Sequence, residues 1–235
     1  MTGRDAFLQR VKRAVAEGNR AGAAQKLPEP SGVGYQGAGP DPMQRFCQEL
    51  AVAGGKAYVA ADGKAVMHTI QSIVQAHNAR KLLLSRGGLI EQMNLPAKLK
   101  QLGLDVRTVD ASLNDSREVF FTAEVGITNV HRLIAETGTV VLASSPDEPR
   151  SASLLPSVHI ALADRSQLLA DLFDLFDLFA PSAALAKSTP PSCLTLITGP
   201  SKTGDIELKL VTGVHGPGEI HVILLQASGD PLGGA

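Results

Sequence analysis

"AYVAADGKAVMHTIQSIVQAHNARKLLLSRGGLIEQMNLPAKLKQLGLDVRTVD", residues 57–110, alternates short apolar runs with segments of helical spacing. "AYVAA" (57–61) precedes a helical pattern around 64–78, "KLLLS" (81–85) precedes one around 89–102, and "LDVRTVD" (104–110) closes the series. A strand, a crossover helix and a second strand pair in parallel, so this rhythm predicts an α/β fold: a mixed, mostly parallel sheet flanked by helices on both faces. Downstream the grammar changes. "VGIT" (125–128), "LIAE" (133–136), "TVVLASS" (139–145) and "VHIALAD" (158–164) leave little room for crossover helices and predict antiparallel or mixed pairing at one end of the sheet. "LLADLFDLFDLF" (168–179) reads as an amphipathic helix with Asp171, Asp174 and Asp177 on one arc, stopped at Pro181. "CLTLIT" (193–198) is a last strand before a polar stretch, and the chain after Gln226 is expected to be disordered.

Upstream, Phe7, Leu8, Val11, Val15 and Ala16 recur at near-helical intervals and predict an amphipathic arm over 5–24. "LPEPSGVGYQGAGPDP" (27–42) is too rich in Pro and Gly to sustain helix or strand. The expected division is therefore 1–40, helical arm and linker, and 41–235, an α/β domain that opens at Asp41 as N-cap before Pro42.

Composition narrows the function. With 235 residues, 44% of them hydrophobic, the chain can bury one sizeable core. Its 22 basic and 23 acidic residues leave a net charge of -1, and 4% aromatic content supplies few stacking platforms, which disfavours nucleic acid and anionic membranes as partners. Two cysteines, Cys47 and Cys193, form neither a disulfide framework nor a C-x-x-C site. With no signal-peptide pattern and no run long enough to span a bilayer, a cytoplasmic protein is expected.

Three polar stretches interrupt the apolar framework. In "IAETGTVV" the carboxylate of Glu136 stands beside Thr137, Gly138 and Thr139, and the segment runs on to a loop carrying Ser144, Ser145, Arg150, Ser151 and Ser153. Hydroxyls and a guanidinium beyond a strand end suit a phosphate or carboxylate, although Ser-Pro and Glu-Pro pairs also make ordinary turns. "TGPSKTGDIELKL" (198–210) predicts a strand, a turn at Gly199 and a helix capped by Thr203 or Asp205, with Ser201 and Lys202 completing an anion site. It is not a P-loop, because Gly204 is followed by Asp205. "GVHGPGEIH" (213–221) places His215, a candidate acid or base, among Gly213, Gly216 and Gly218. His159, His215 and His221 lack the spacing to share a helical face, so no metal is assigned.

Taken in order, "GIT…IAETGTVVLASSPDEPRSASLLPSVHIAL" and "LTLITGPSKTGDIELKLVTGVHGPGEIHVIL" resemble the LUD domain of the lactate-utilization protein C family, strongly over about residues 120–226. The motifs E-[ST]-G-T, S-L-L-P-x-[VT], G-P-S-x-[ST]-x-D-I-E and G-V-H-G-P occur in the family's order. The resemblance implies a NagB/RpiA/CoA-transferase-like fold and a place in a three-protein system that oxidises L-lactate to pyruvate, with iron–sulfur clusters in the partner proteins and no cofactor in this chain. Two cysteines cannot supply the four thiolates of a usual cluster, which agrees. His131 and Arg132 depart from the family, where an acidic residue commonly precedes the E-[ST]-G turn.

Two functions follow. The first is an accessory or ligand-binding subunit of that system, binding a small anion and docking its partners through the N-terminal arm. The second is a free-standing CoA-transferase-like or sugar-phosphate isomerase-like enzyme, with Glu136 as nucleophile or base.

Overall fold

The arm is realised as α1, Gly3–Gly18, with Phe7, Leu8, Val11 and Val15 exposed. It lies in a compact unit of its own, residues 1–35, while residues 36–235 form the second. The computed structural model describes residues 3–18, 37–109, 117–179, 191–206 and 209–226. Most of the Gly/Pro linker and the tail after Gln226 lie outside these residues.

Asp41 opens the first helix of the larger unit, α2 (Pro42–Val52). Its carboxylate accepts the N–H groups of Met43 and Gln44 at 3.1 Å each, and Pro42 contributes a preset φ where no N–H is needed. The βαβ stretch then builds β1 (Lys56–Ala60), α3 (Gly63–Ala76), β2 (Lys81–Leu84), α4 (Gly88–Gln92), α5 (Leu95–Gln101) and β3 (Asp105–Thr108). Where one helix over 89–102 was expected there are two. Asn94 adopts a left-handed φ of 51°, and Pro96 can neither donate to the preceding turn nor fit beside it, so the helix restarts.

The chain continues through α6 (Arg117–Thr122), β4 (Val125–Asn129), β5 (Arg132–Ile134), β6 (Thr139–Ala143), α7 (Ser151–Leu154) and β7 (Val158–Asp164). It ends with β8 (Leu168–Leu169), α8 (Leu172–Asp177), β9 (Leu194–Ile197), β10 (Lys202–Ile206), β11 (Lys209–Thr212) and β12 (Glu219–Leu225). Six strands form one wholly parallel sheet in the order β1-β12-β7-β4-β2-β3, and a smaller sheet runs β8-β5-β6-β9.

Of the four runs expected to pair antiparallel or mixed, "LIAE" and "TVVLASS" do so as β5 and β6 of the smaller sheet, and the expectation is corrected for "VGIT" and "VHIALAD". β4 and β7 are central parallel strands, buried at every position but the last, as continuous apolar runs covered on both faces should be. Their crossover is carried by the antiparallel β5–β6 hairpin and α7 in place of a long helix. The expected helix over 168–179 shortens to α8, because Asp171 does not face solvent with the other aspartates. It is buried, its carboxylate accepts the N–H of Asp174 at 3.0 Å, and the Asp174 carboxylate accepts that of Ala170 at 3.1 Å. The third correction concerns 198–210, where an antiparallel β10–β11 hairpin replaces the predicted capped helix. Ser201 holds that segment to the glycine-rich loop, donating its N–H to Pro217 O and accepting that of Gly213 at its own carbonyl, and β-branched Thr203, Val211 and Thr212 favour strand.

One face of the main sheet packs Leu82, Leu84, Ile127, Ile160 and Ile223 against Val66, Ile70 and Ile73 of α3 and Ile90, Leu95 and Leu99 of α4 and α5. On the other face, Ala161, Ala163, Val222 and Leu224 meet Phe46 and Leu50 of α2 and Leu133, Val140 and Leu142 of the small sheet. Each fully buried Leu or Ile contributes about 2 kcal/mol. Among the described residues no helix is long and apolar enough to cross a membrane.

Candidate functional site

Glu136 is not a charge buried in a strand. It sits half-buried in the turn joining β5 and β6, its N–H donating to Ala170 O at 3.0 Å and its carboxylate accepting the N–H of Gly37 at 3.3 Å. Gly138 lets the turn rest on α2: at φ 63°, a Cβ there would lie 2.2 Å from Leu50 N. The hydroxyls of Thr137 and Thr139 share a hydrogen bond of 2.7 Å, and Thr139 shares another of 2.6 Å with Thr198.

Thr198 stands on the wall of a cavity of about 240 Å³. Its polar lining is Ser153, His159, Thr195, Thr198, Ser201 and His215, with Gly199 and Gly216 beside them, and Leu154, Leu196, Ile197 and Ile220 supply apolar surface. Three separate motifs meet here: S-L-L-P through Ser153, G-P-S through Gly199 and Ser201, and G-V-H-G-P through His215 and Gly216. The packing that brings them together depends on backbone approach. Gly126 on β4 lets α7 lie directly on the sheet, since a Cβ there would come 2.0 Å from Ala152 O, and this seats Ser153. Gly199, at φ 86°, turns beneath the end of α2 with Ala53 O 2.6 Å from where a Cβ would be.

His159 was not singled out for this site, and its one sequence signal is a lone imidazole in the otherwise apolar "VHIALAD" strand. It is 1% exposed; Thr128 Oγ1 bonds its Nε2 at 2.9 Å, and Nδ1 is buried without a hydrogen bond. Burial, and secondarily the His221 imidazole, push its pKa down to about 4, so it is neutral at pH 7. Ser153 donates its hydroxyl to Arg150 O at 3.1 Å and offers lone pairs only. Ser201, His215 and, when Thr139 donates to it, Thr198 retain donors for a small anion. A cavity below the roughly 300–1,000 Å³ of drug-sized sites suits a metabolite of a few heavy atoms.

The other sequence-selected residues lie apart from it. Ser144, Ser145 and Arg150 line a separate depression with Pro149 and Ser192, and Ser145 Oγ accepts the N–H groups of Asp147 and Glu148 in a local turn. Lys202 Nζ caps α2 at Ala53 O, 2.5 Å away, and Thr203 and Asp205 belong to β10. Glu136, Arg150 and His215 do not line one cavity.

A second constellation escaped sequence reasoning. Glu148, which reads as part of the turn "SSPDEP", reaches the carboxyl ends of β2 and β4. There the chain leaves β2 toward β3 on one side and β4 toward β7 on the other, a topological switch point of the sheet. Its Oε1 accepts Ser85 Oγ at 2.9 Å, Asn129 N at 3.1 Å and Asn129 Nδ2 at 2.7 Å. Burial outweighs these bonds and pushes the carboxyl pKa up to about 7.

The histidines weighed from sequence do not converge as a metal set, since His159 and His221 project from opposite faces of the sheet. Among the described residues a different trio does: His77, Glu219 and His221, whose donor atoms lie within 4.8 Å of one another.

By architecture this is a doubly covered parallel α/β sheet carrying a small mixed sheet on one face. The chain belongs to the LUD domain family, whose profile matches residues 43–225. A Lactate utilization protein C of Anoxybacillus flavithermus is 28% identical over 216 residues, spanning 91% of this chain and 94% of that protein. One of Bacillus subtilis is 44% identical over 104 residues, 44% of this chain and 43% of its own length. A crystal structure of a DUF162 family protein from Deinococcus radiodurans superposes with a TM-score of 0.54 over 78% of this chain and 96% of that one, at 22% identity, a likeness of fold.

Proposed function

We propose that this chain serves lactate utilization as its cluster-free component, binding a small carboxylate of the lactate or pyruvate type in the cavity between Ser153, Thr198, Ser201 and His215. The relatives' name supports the pathway. The observation that carries the ligand reading is the meeting of three separated motifs on one small cavity with a free hydroxyl and an imidazole at its wall. A carboxylate would take hydrogen bonds from Ser201, His215 and Thr198, while Leu196 and Ile220 would cover a methyl group. With Cys47 and Cys193 its only cysteines, the chain lacks four thiolates for a cluster, so electrons from the substrate would pass to iron–sulfur partner proteins. The Glu136 nucleophile reading gains nothing from the geometry, because that carboxylate accepts from Gly37 and does not line the cavity.

Deletion of the gene should abolish growth on L-lactate as sole carbon source while sparing growth on glucose. Complementation by the wild type should restore growth, and by Gly216→Leu should not, since a side chain at 216 enters the cavity beside Ser201. Undiminished growth of the deletion strain on L-lactate would overturn the reading.

A further inference from the structure

At the amino end of the main sheet, on the α3 face, Glu219 opens β12 and His221 follows two residues on, so both side chains project the same way. The parallel register sets Lys56 beside His221 and Tyr58 beside Ile223, and His77 caps the carboxyl end of α3 above them. Glu219 Oε2 lies 3.4 Å from His221 Nε2 and 3.6 Å from His77 Nε2. A tetrahedral zinc ion with bonds of about 2.0–2.1 Å holds its ligand atoms roughly 3.4 Å apart, so these are spacings one ion can span.

His221 supplies the independent observation. The residue is 2% exposed, and its Nε2 is buried with no hydrogen bond even though it faces the other two donors. Its Nδ1 lies 3.1 Å from Tyr58 Oη. When Nδ1–H donates to the tyrosine oxygen, Nε2 presents a lone pair to the other two donors, the second-shell arrangement of ligating histidines.

We propose that His77, Glu219 and His221 form a binding site for a divalent transition metal of the zinc class, with its remaining position open to the adjoining cleft of about 370 Å³ beside His68 and Ser72. The imidazole of His221 is already neutral, its pKa pushed down to about 4 by burial first and Lys56 second. Without metal, Lys56 Nζ neutralises Glu219 Oε2 at 2.6 Å. Its half-exposed side chain swings out to solvent when the ion binds, and its charge weakens binding.

The test is titration of the EDTA-treated full chain with Co²⁺, followed by visible absorption and calorimetry. The expected result is one ion per chain with the intense d–d bands of a tetrahedral site, and tighter binding in Lys56→Met. His77→Ala, at a partly exposed helix cap, should fold with unchanged metal-free melting and bind more than about tenfold more weakly, since even outer-shell changes at metal sites cost that much. Glu219→Gln should weaken binding similarly. No absorption on titration, or equal affinity in wild type, His77→Ala and Glu219→Gln, would overturn the proposal.

Discussion

Replacing Glu148 with Gln keeps the acceptor that Ser85 and Asn129 use and removes only the ionisation. The carboxyl pKa rises from an ordinary 4.5 to about 7 in the folded chain, so the native state holds this proton more tightly than the unfolded one. Stabilisation from Glu148 is therefore complete below about pH 4.5, shrinks as pH rises and is gone above about 7. At about 1.4 kcal/mol per unit the difference amounts to at most about 3 kcal/mol, less where solvent reaches the group. The wild-type profile alone would hide this. His159 and His221 are pushed down from 6.5 to about 4, and their contribution is complete above 6.5 and lost as pH falls toward 4, the opposite direction over an overlapping window. The informative quantity is the difference between Glu148→Gln and wild type, from urea unfolding at half-unit steps between pH 4.5 and 8. The variant should match wild type at the acid end and exceed it by about 2–3 kcal/mol at pH 8. A difference that does not change with pH, or one that favours wild type at pH 8, would refute the assignment of a desolvated carboxyl at the switch point.

Gly138→Ala places a Cβ 2.2 Å from backbone Leu50 N at a left-handed φ of 63°, and should cost at least about 2 kcal/mol in denaturant unfolding. Gly126→Ala meets Ala152 O at 2.0 Å, and should lower the melting temperature and displace α7, visible as shifted Ser153 amide resonances. Asp171→Ala removes the buried cap of α8 and should cost about 1–2 kcal/mol by the same measurement.

The parallel part of the core was legible in the alternation of "AYVAA", "KLLLS" and "LDVRTVD" with helical segments, whereas "VGIT" and "VHIALAD", runs with almost no polar position, were expected to pair antiparallel or mixed and are central parallel strands covered on both faces. What the sequence could not convey was which of those runs share a sheet. β5 and β6 sit between two central strands in the chain yet form a separate sheet, because Leu133, Val140 and Leu142 find their partners on Phe46 and Leu50 of α2, far off in sequence. Hydroxyls were equally ambiguous one at a time. Ser145 makes a local turn and Ser201 reaches a cavity, and composition around them does not distinguish the two. Two of the glycine-rich turns line the cavity through Gly199 and Gly216, but Gly126, whose neighbours spell only a strand, is what seats Ser153 in it. His159 was weighed only as a metal ligand and Glu148 only as part of a turn, because their significance rests on burial beside distant partners, Thr128 for one and Asn129 with Ser85 for the other.

The most direct test of the cavity's role is isothermal titration of the purified full chain with L-lactate and pyruvate, wild type beside Gly216→Leu. Saturable binding of at least one of them by the wild type and none by the variant is expected, with both proteins melting alike in the absence of ligand. Heats indistinguishable from dilution for both acids in the wild type, or binding that survives a filled cavity, would contradict the account.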